Sequence, residues 1–164
     1  MSAMSGFSQW PDRDYPDIVS EVAREWDAAR QTAVSLGVER ERVMFDPGLG
    51  FAKNARHSFA LLRHLRSFKA LGAPVLIGAS RKSFIGAIDG SPAEQRLGGT
   101  IAASLCATLV GADVLRVHDV FEMRQALGVL RAIRDERTLP EPTPGAQPVP
   151  PPAEPQLPEP RECG

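Results

Sequence analysis

The chain has 164 residues, 43% of them hydrophobic and 24% charged, with a formal net charge of −1. This is room for one domain with an ordinary globular interior, and the balanced charge argues against a nucleic-acid or membrane-surface protein, so any anion must be recognised locally. Two cysteines make no disulfide framework, and no stretch approaches the ~18–20 continuous apolar residues of a membrane span. Residues Met1 to Gly6 lack a basic-then-apolar signal pattern, so the expected location is the cytoplasm.

In chain order, residues 1–16 are small, polar and punctuated by Pro11 and Pro16, which reads as a loop or a disordered start. Ile18, Val22, Trp26 and Ala29 or Ala33 then recur at helical spacing, with Glu21, Arg24, Glu25 and Arg30 opposite, and Gly37 closes the helix. Val43 to Phe45 reads as a first strand, followed by the glycine-rich loop Asp46 to Phe51. A second helix is expected over about 55–70, with Phe59, Leu62 and Leu65 on one face and Gly72 after its end.

Val75 to Ile77 reads as a second strand, with Gly78 to Gly86 as the loop beyond it. Ser91-Pro92-Ala93-Glu94 carries a helix-start pattern, followed by a small, apolar and well-buried helix to Val110 with a break at Gly98-Gly99. Val114 to Val117 is the third strand. Asp119 and Glu122 form a capping box for a last helix to about Arg137. From Pro140 onward 25 residues hold ten of the 15 prolines, so 139–164 is expected to be a disordered Pro-rich tail around a folded unit of 17–138. Its P-x-x-P spacings fit either a spacer or a ligand for a proline-binding domain.

Alternating helices and strands imply an α/β fold of three parallel strands with flanking helices and right-handed crossovers. Three polar clusters then fall at the carboxyl ends of the strands, the face that carries ligands in α/β folds. Asp46 is either a turn aspartate or a buried carboxylate, which would need paired donors such as the amino and ring N–H edge of a heterocycle. Among Ser80, Arg81, Lys82 and Ser83, Lys82 is the cation expected to point inward, against the alternative of a solvated basic loop. Arg116 inside a strand must meet an anion or a structural carboxylate. His118, two residues on, shares its strand face and is either a core histidine or a second donor to the same diphosphate. Asp119 is assigned to capping, and His57 and His64 to the surface. No metal-ligand spacing and no nucleophile–base pairing occurs.

Three runs carry a resemblance: Phe45-Asp46-Pro47-Gly48-Leu49-Gly50-Phe51-Ala52-Lys53-Asn54, Gly78-Ala79-Ser80-Arg81-Lys82-Ser83-Phe84-Ile85-Gly86, and Arg116-Val117-His118-Asp119-Val120. In order and spacing they resemble the last three strand-end motifs of dihydropteroate synthase, over roughly Pro16 to Arg137. The resemblance implies a TIM barrel that condenses 6-hydroxymethyl-7,8-dihydropterin diphosphate with 4-aminobenzoate to give 7,8-dihydropteroate in folate biosynthesis, a transferase reaction releasing diphosphate. By that resemblance Asp46, Gly78 and Lys82 hold the pterin, Phe51 and Ser80 lie near the aminobenzoate, and Arg116 and His118 grip the diphosphate. It further implies Mg²⁺ on the diphosphate, without a protein ligand in this chain, and a homodimer.

A complete (β/α)8 barrel needs ~200–250 residues or more, so this chain is expected to be a partial TIM barrel, the carboxyl-terminal portion only. Activity is then expected to be incomplete without an amino-terminal half, and the open strand edges call for a homo-oligomer or a complementing chain. The competing expectations are a non-catalytic pterin- or diphosphate-binding module whose Pro-rich tail docks a partner, and a truncated relic. The related pterin-dependent methyltransferases share the barrel but are not expected to combine the Ser80–Ser83 loop with Arg116–Asp119.

Overall fold

The computed structural model describes residues 15–135. The expected loop at the start and the Pro-rich tail fall, but for Tyr15 and Pro16, outside these residues. Within them the order is α1 (Ile18–Ser35), α2 (Ala55–Arg63), β1 (Leu76–Ile77), α3 (Ser83–Asp89), α4 (Leu97–Leu109), β2 (Val114–Leu115) and α5 (Val120–Arg134), with 3₁₀ segments at Arg40–Arg42, Leu65–Leu71 and Ala93–Gln95.

The strands are parallel, as the α-β alternation demands, but shorter than the sequence suggests. β1 and β2 pair in the register Leu76↔Val114 and Ile77↔Leu115. The expected first strand is reduced to one parallel bridge between Phe45 and Val75. Three strands are therefore two strands and a bridge among the described residues. Each chain leaves the pairing quickly because a polar, glycine-bearing loop follows at once. Asp113 ties down the opposite ends: its Oδ2 accepts the Val75 N–H at 2.7 Å and a Lys69 Nζ–H at 2.6 Å. These two bonds, Lys69 first, hold its carboxyl below the usual carboxylate range.

The interior lies between α1, α2, the Leu65–Leu71 turn and the sheet. Phe45, wholly buried, meets Trp26 edge-on at 5.4 Å between centroids and Phe68 at 4.7 Å, contacts that add directional attraction to burial. Leu61, Leu65, Val75 and Ile77 complete this layer. Arg30, expected on the outer face of α1, is buried. Its guanidinium lies 4.6 Å over Trp26, donates to the Leu71 carbonyl at 2.9 Å and pairs with Asp27. Its terminal nitrogens thus find acceptors and its plane stacks on an aromatic ring, which lets an arginine be taken inside, while Nε is buried without a hydrogen-bond partner among the described residues.

The second helix turns to 3₁₀ geometry after His64, which rotates its buried face to Ser58, Leu61, Leu65 and Phe68 and leaves Phe59 more than a third exposed. Beyond β1, the expected loop closes into the seven-residue α3. The Ser91–Glu94 pattern opens only the short 3₁₀ turn, and α4 starts at Leu97 and runs unbroken through Gly98-Gly99. Gly99 is there for space: a Cβ would stand 2.3 Å from Ile85 Cγ2. The expectation that α4 is buried on most sides is corrected, since only Thr100, Ser104 and Ala107 are buried and Cys106 and Leu109 are exposed.

Gly99→Ala is expected to lower stability by about 1–2 kcal/mol through overpacking, even after the gain in helix propensity. Gly98→Ala, with nothing within 4 Å of its Cβ, should raise it by about 0.5 kcal/mol. Urea unfolding of the two variants checks this, and Ile85→Ala should rescue Gly99→Ala.

Candidate functional site

The register of the sheet builds the site. Leu76 pairs with Val114, 38 residues on, and that offset continues past the strand ends: Gly78 lies under Arg116, Ser80 bonds His118, and Arg81 pairs with Asp119. The Arg116 N–H still donates to the Ile77 carbonyl at 2.9 Å, one residue beyond β2, which fixes where its side chain departs. Its guanidinium rests on Gly78, with Nε 3.4 Å from where a Cβ would stand.

The result is a recess of about 620 Å³ lined by Gly78, Ser80, Arg81, Lys82, Ala93, Arg116, Val117 and His118. That is the size of a small-molecule site. Lys82 is half-buried, and its ammonium stands 3.8 Å from the Phe51 ring centroid. Burial first and Arg116 second lower the Lys82 pKa, while Asp46 pulls it the other way. Lys82 thus feels the charges of both Arg116 and Asp46.

Asp46 itself is exposed and does not line the recess, which corrects the expectation of a buried carboxylate. Its Oδ1 accepts the Gly48 N–H at 2.8 Å, making a turn of the loop. Gly48 and Gly50 adopt φ of +67° and +75°, the left-handed region that glycine enters without cost, and a Cβ on Gly50 would stand 3.4 Å from Lys82 Cδ. Phe51 is half-exposed beside it. Asn54 caps α2, its Oδ1 accepting the His57 N–H at 3.0 Å.

The loop between β1 and α3 is held by residues the sequence reading passed over. Arg81 sits at φ +56°, unusual for a side-chain-bearing residue. Its N–H donates to Thr100 Oγ1 at 3.0 Å, its carbonyl accepts from Arg96 Nη1 at 3.0 Å, and its guanidinium forks onto both oxygens of Asp119. Strain of this kind persists only where surroundings over-determine it. Asp119 therefore does not cap α5 through its side chain, as the capping-box pattern suggested. It anchors Arg81, which keeps its carboxyl below the ordinary range. No short sequence pattern announces Thr100 or Arg96, because both act across the fold.

The recess offers a primary ammonium, a guanidinium, an imidazole and a serine hydroxyl around a partly apolar floor. These groups suit a flat, hydrogen-bonding ring joined to an anion. Among the described residues no three His, Cys, Asp or Glu side chains come together. Asp119 is spent on Arg81, so this donor set does not make a magnesium site. No helix among these residues is long and apolar enough to cross a membrane.

The sequence profile of the family described as "Pterin binding enzyme" matches residues 3–118. The chain belongs to this family. It is 44% identical over 121 residues to the dihydropteroate synthase of Synechocystis, covering 73% of this chain and 42% of that protein, and 37% identical over 118 residues to that of Escherichia coli, covering 72% and 42%. Among solved structures, dihydropteroate synthase from Xanthomonas albilineans in complex with 7,8-dihydropteroate superposes with a TM-score of 0.73 at 40% identity, over 80% of this chain and 50% of that one. The Thermus thermophilus enzyme gives 0.69 at 46% identity, over 73% and 48%. The chain thus has an α/β fold similar to that of these barrels and spans about half the length of these relatives or less.

Replacing Arg116 by Met is expected to raise the Lys82 pKa toward that of an ordinary lysine by removing the second cause of its depression, as a ¹³C titration of the Lys82 side chain would record. Sign follows from linkage: because folded Lys82 releases its proton earlier than unfolded lysine, its share of stability rises with pH between the two values. Arg116→Met should flatten that rise.

Proposed function

We propose that this chain supplies the pterin- and diphosphate-binding rim of a dihydropteroate synthase, the transferase that joins 6-hydroxymethyl-7,8-dihydropterin diphosphate to 4-aminobenzoate in folate biosynthesis. The observation that carries the reading is the meeting of Lys82, Arg116, Ser80 and His118 in one recess at the carboxyl ends of parallel strands. Further support comes from the solved Xanthomonas relatives, one in complex with 7,8-dihydropteroate and one with 4-aminobenzoic acid.

In this reading Asp46, Gly78 and Lys82 hold the pterin, with Lys82 donating to a ring oxygen. Phe51 and Ser80 border the aminobenzoate. Arg116 and His118 take the diphosphate. The bond from the pterin methylene carbon to the diphosphate oxygen breaks, the aromatic amine forms a C–N bond to that carbon, and the amine proton passes to solvent. The residues of this chain position the partners and neutralise charge growing on the leaving diphosphate, the two largest resources of such sites. The Mg²⁺ expected from the family has no carboxylate cage among the described residues, and no step here is assigned to it.

The rest of the barrel wall comes, in this reading, from a further part of the protein, a complementing chain or a second copy. Support for this is the uneven burial of the fold: Val114, Val120, Phe121, Val129 and Ile133 are all more than a third exposed along β2 and α5, which is more apolar surface than a finished monomer scatters singly. The proposed partial (β/α)8 architecture accounts for it. The proline-motif partner proposed for 139–164 belongs to the alternative, a non-catalytic binding module with a docking arm.

Product formation is the test, measured with both substrates and Mg²⁺ on the folded chain alone and with an amino-terminal barrel fragment. Turnover is expected only with the fragment, and Lys82→Ala or Arg116→Ala should then cut kcat/KM by about 10²-fold or more, the scale of losing one charged contact to the transition state. Saturable diphosphate binding with no turnover in either case would replace the catalytic reading by the binding module. Deletion after Thr138 would then be expected to release a tail partner.

A further inference from the structure

Ser80 stands out because its hydroxyl is buried and serves two groups of one residue. Its Oγ accepts the His118 backbone N–H at 3.2 Å and lies 2.8 Å from His118 Nδ1. A serine hydroxyl has one proton to donate and two lone pairs. With a lone pair given to the backbone N–H, the proton is left, and a buried O–H needs an acceptor. Nδ1 is the only acceptor recorded for it among the described residues. That arrangement is satisfied in full only when Nδ1 is bare and the imidazole proton sits on Nε2. The other tautomer would give Nδ1–H to the second Oγ lone pair and leave the serine proton without a protein acceptor among the described residues.

We infer that Ser80 is a positioning residue that locks His118 in its Nε2–H tautomer, so that the imidazole presents a donor to the recess rather than an acceptor. An anion in the recess needs the donor: a bare Nε2 would meet a diphosphate oxygen lone pair to lone pair. The same two bonds block the ring flip that would exchange the two nitrogens. Their origin is the sheet register, since the 38-residue offset that pairs Leu76 with Val114 also sets Ser80 against His118. Ser80 thereby acts on the diphosphate end of the site through His118. This rests on the proposed function for its purpose but not for its existence, because a tautomer is a property of the chain alone.

The experiment follows that separation. In the full chain carrying ¹⁵N-histidine, His118 should show a single tautomer with unprotonated Nδ1 at neutral pH. Ser80→Ala should bring in the second tautomer, and Ser80→Thr, which keeps the hydroxyl, should restore the first. Inorganic diphosphate affinity, by calorimetry, should fall about three- to tenfold in Ser80→Ala, the worth of one net hydrogen bond. His118→Gln places an amide donor where Nε2–H stood, and adding Ser80→Ala to it should then change affinity little. Protonated Nδ1 in the unaltered chain, or a tautomer indifferent to Ser80→Ala, overturns the lock. An equal loss of affinity in the His118→Gln background also overturns it, by making Ser80 a direct diphosphate contact. Absence of diphosphate binding, with the tautomer responding as expected, would count against the proposed function and leave the lock supported.

Discussion

Everything at the ligand face depends on the parallel pairing around Val75. Its carbonyl accepts the N–H groups of Asp113 and Val114 at 2.8 and 3.1 Å, its own N–H goes to the Asp113 carboxylate, and its neighbour Leu76 reaches back to the Phe45 carbonyl at 2.7 Å. These bonds set how far each chain has travelled when it leaves the sheet. A slip of one residue would turn every side chain to the opposite face. Arg116 would leave Gly78, Ser80 would lose His118, and Arg81 would part from Asp119. The sheet is short, but its register is copied into three side-chain pairs beyond it, and those pairs in turn make the slip costly.

Charge at the mouth is sorted by the same geometry. Of the cations gathered there, Arg81 is neutralised by a forked pair with Asp119. Lys82 and Arg116 have no carboxylate within ion-pair distance among the described residues. Partial burial first, and then the neighbouring Arg116, disfavour the charged form of Lys82. A fold tolerates such crowding where stability is secured elsewhere, here by the aromatic packing of Phe45, Trp26 and Phe68. An anion between Lys82 and Arg116 would convert mutual repulsion into shared attraction, which is what distinguishes a binding site from a structural ion pair.

The ligand face was legible because its residues follow strands directly. An apolar run that ends in Gly78, in Arg116 or in Asp46 declares both the end of pairing and the polar group placed there. Lys82 could be preferred over Arg81 on the flexibility of its stem, and its half-buried position in the recess agrees. Other features resisted for one physical reason: they are set by contacts distant in sequence. Arg30 reads as a surface residue on a helical wheel, and the Leu71 carbonyl, 41 residues on, joins Asp27 and the Trp26 ring in holding it inside. Asp119 satisfies every local rule for a cap, yet Arg81 offers its carboxylate two charge-assisted bonds, which outweigh one backbone N–H. The strands were over-read because β-branched runs report the capacity to pair, and pairing stops where a neighbour turns away.

The recess is assembled from two unequal halves. Ser80 and the base of the β1 loop belong to the buried layer, continuous with Ile77 and Ala79. Arg116 and His118 project from β2, beside an α5 whose only buried residue is Met123. Stability is graded across the site, from a well-packed floor to a wall held mainly by register and by the pairs Ser80–His118 and Arg81–Asp119. An anion that touches Lys82 on one side and Arg116 on the other spans that gradient. Its binding free energy then adds to the contacts that hold β2 and α5 against the rest, by the linkage that couples any ligand to the state it prefers. In the proposed reading, recognising an anion and ordering the weaker wall would be one equilibrium, because Lys82 stands on one half and Arg116 on the other.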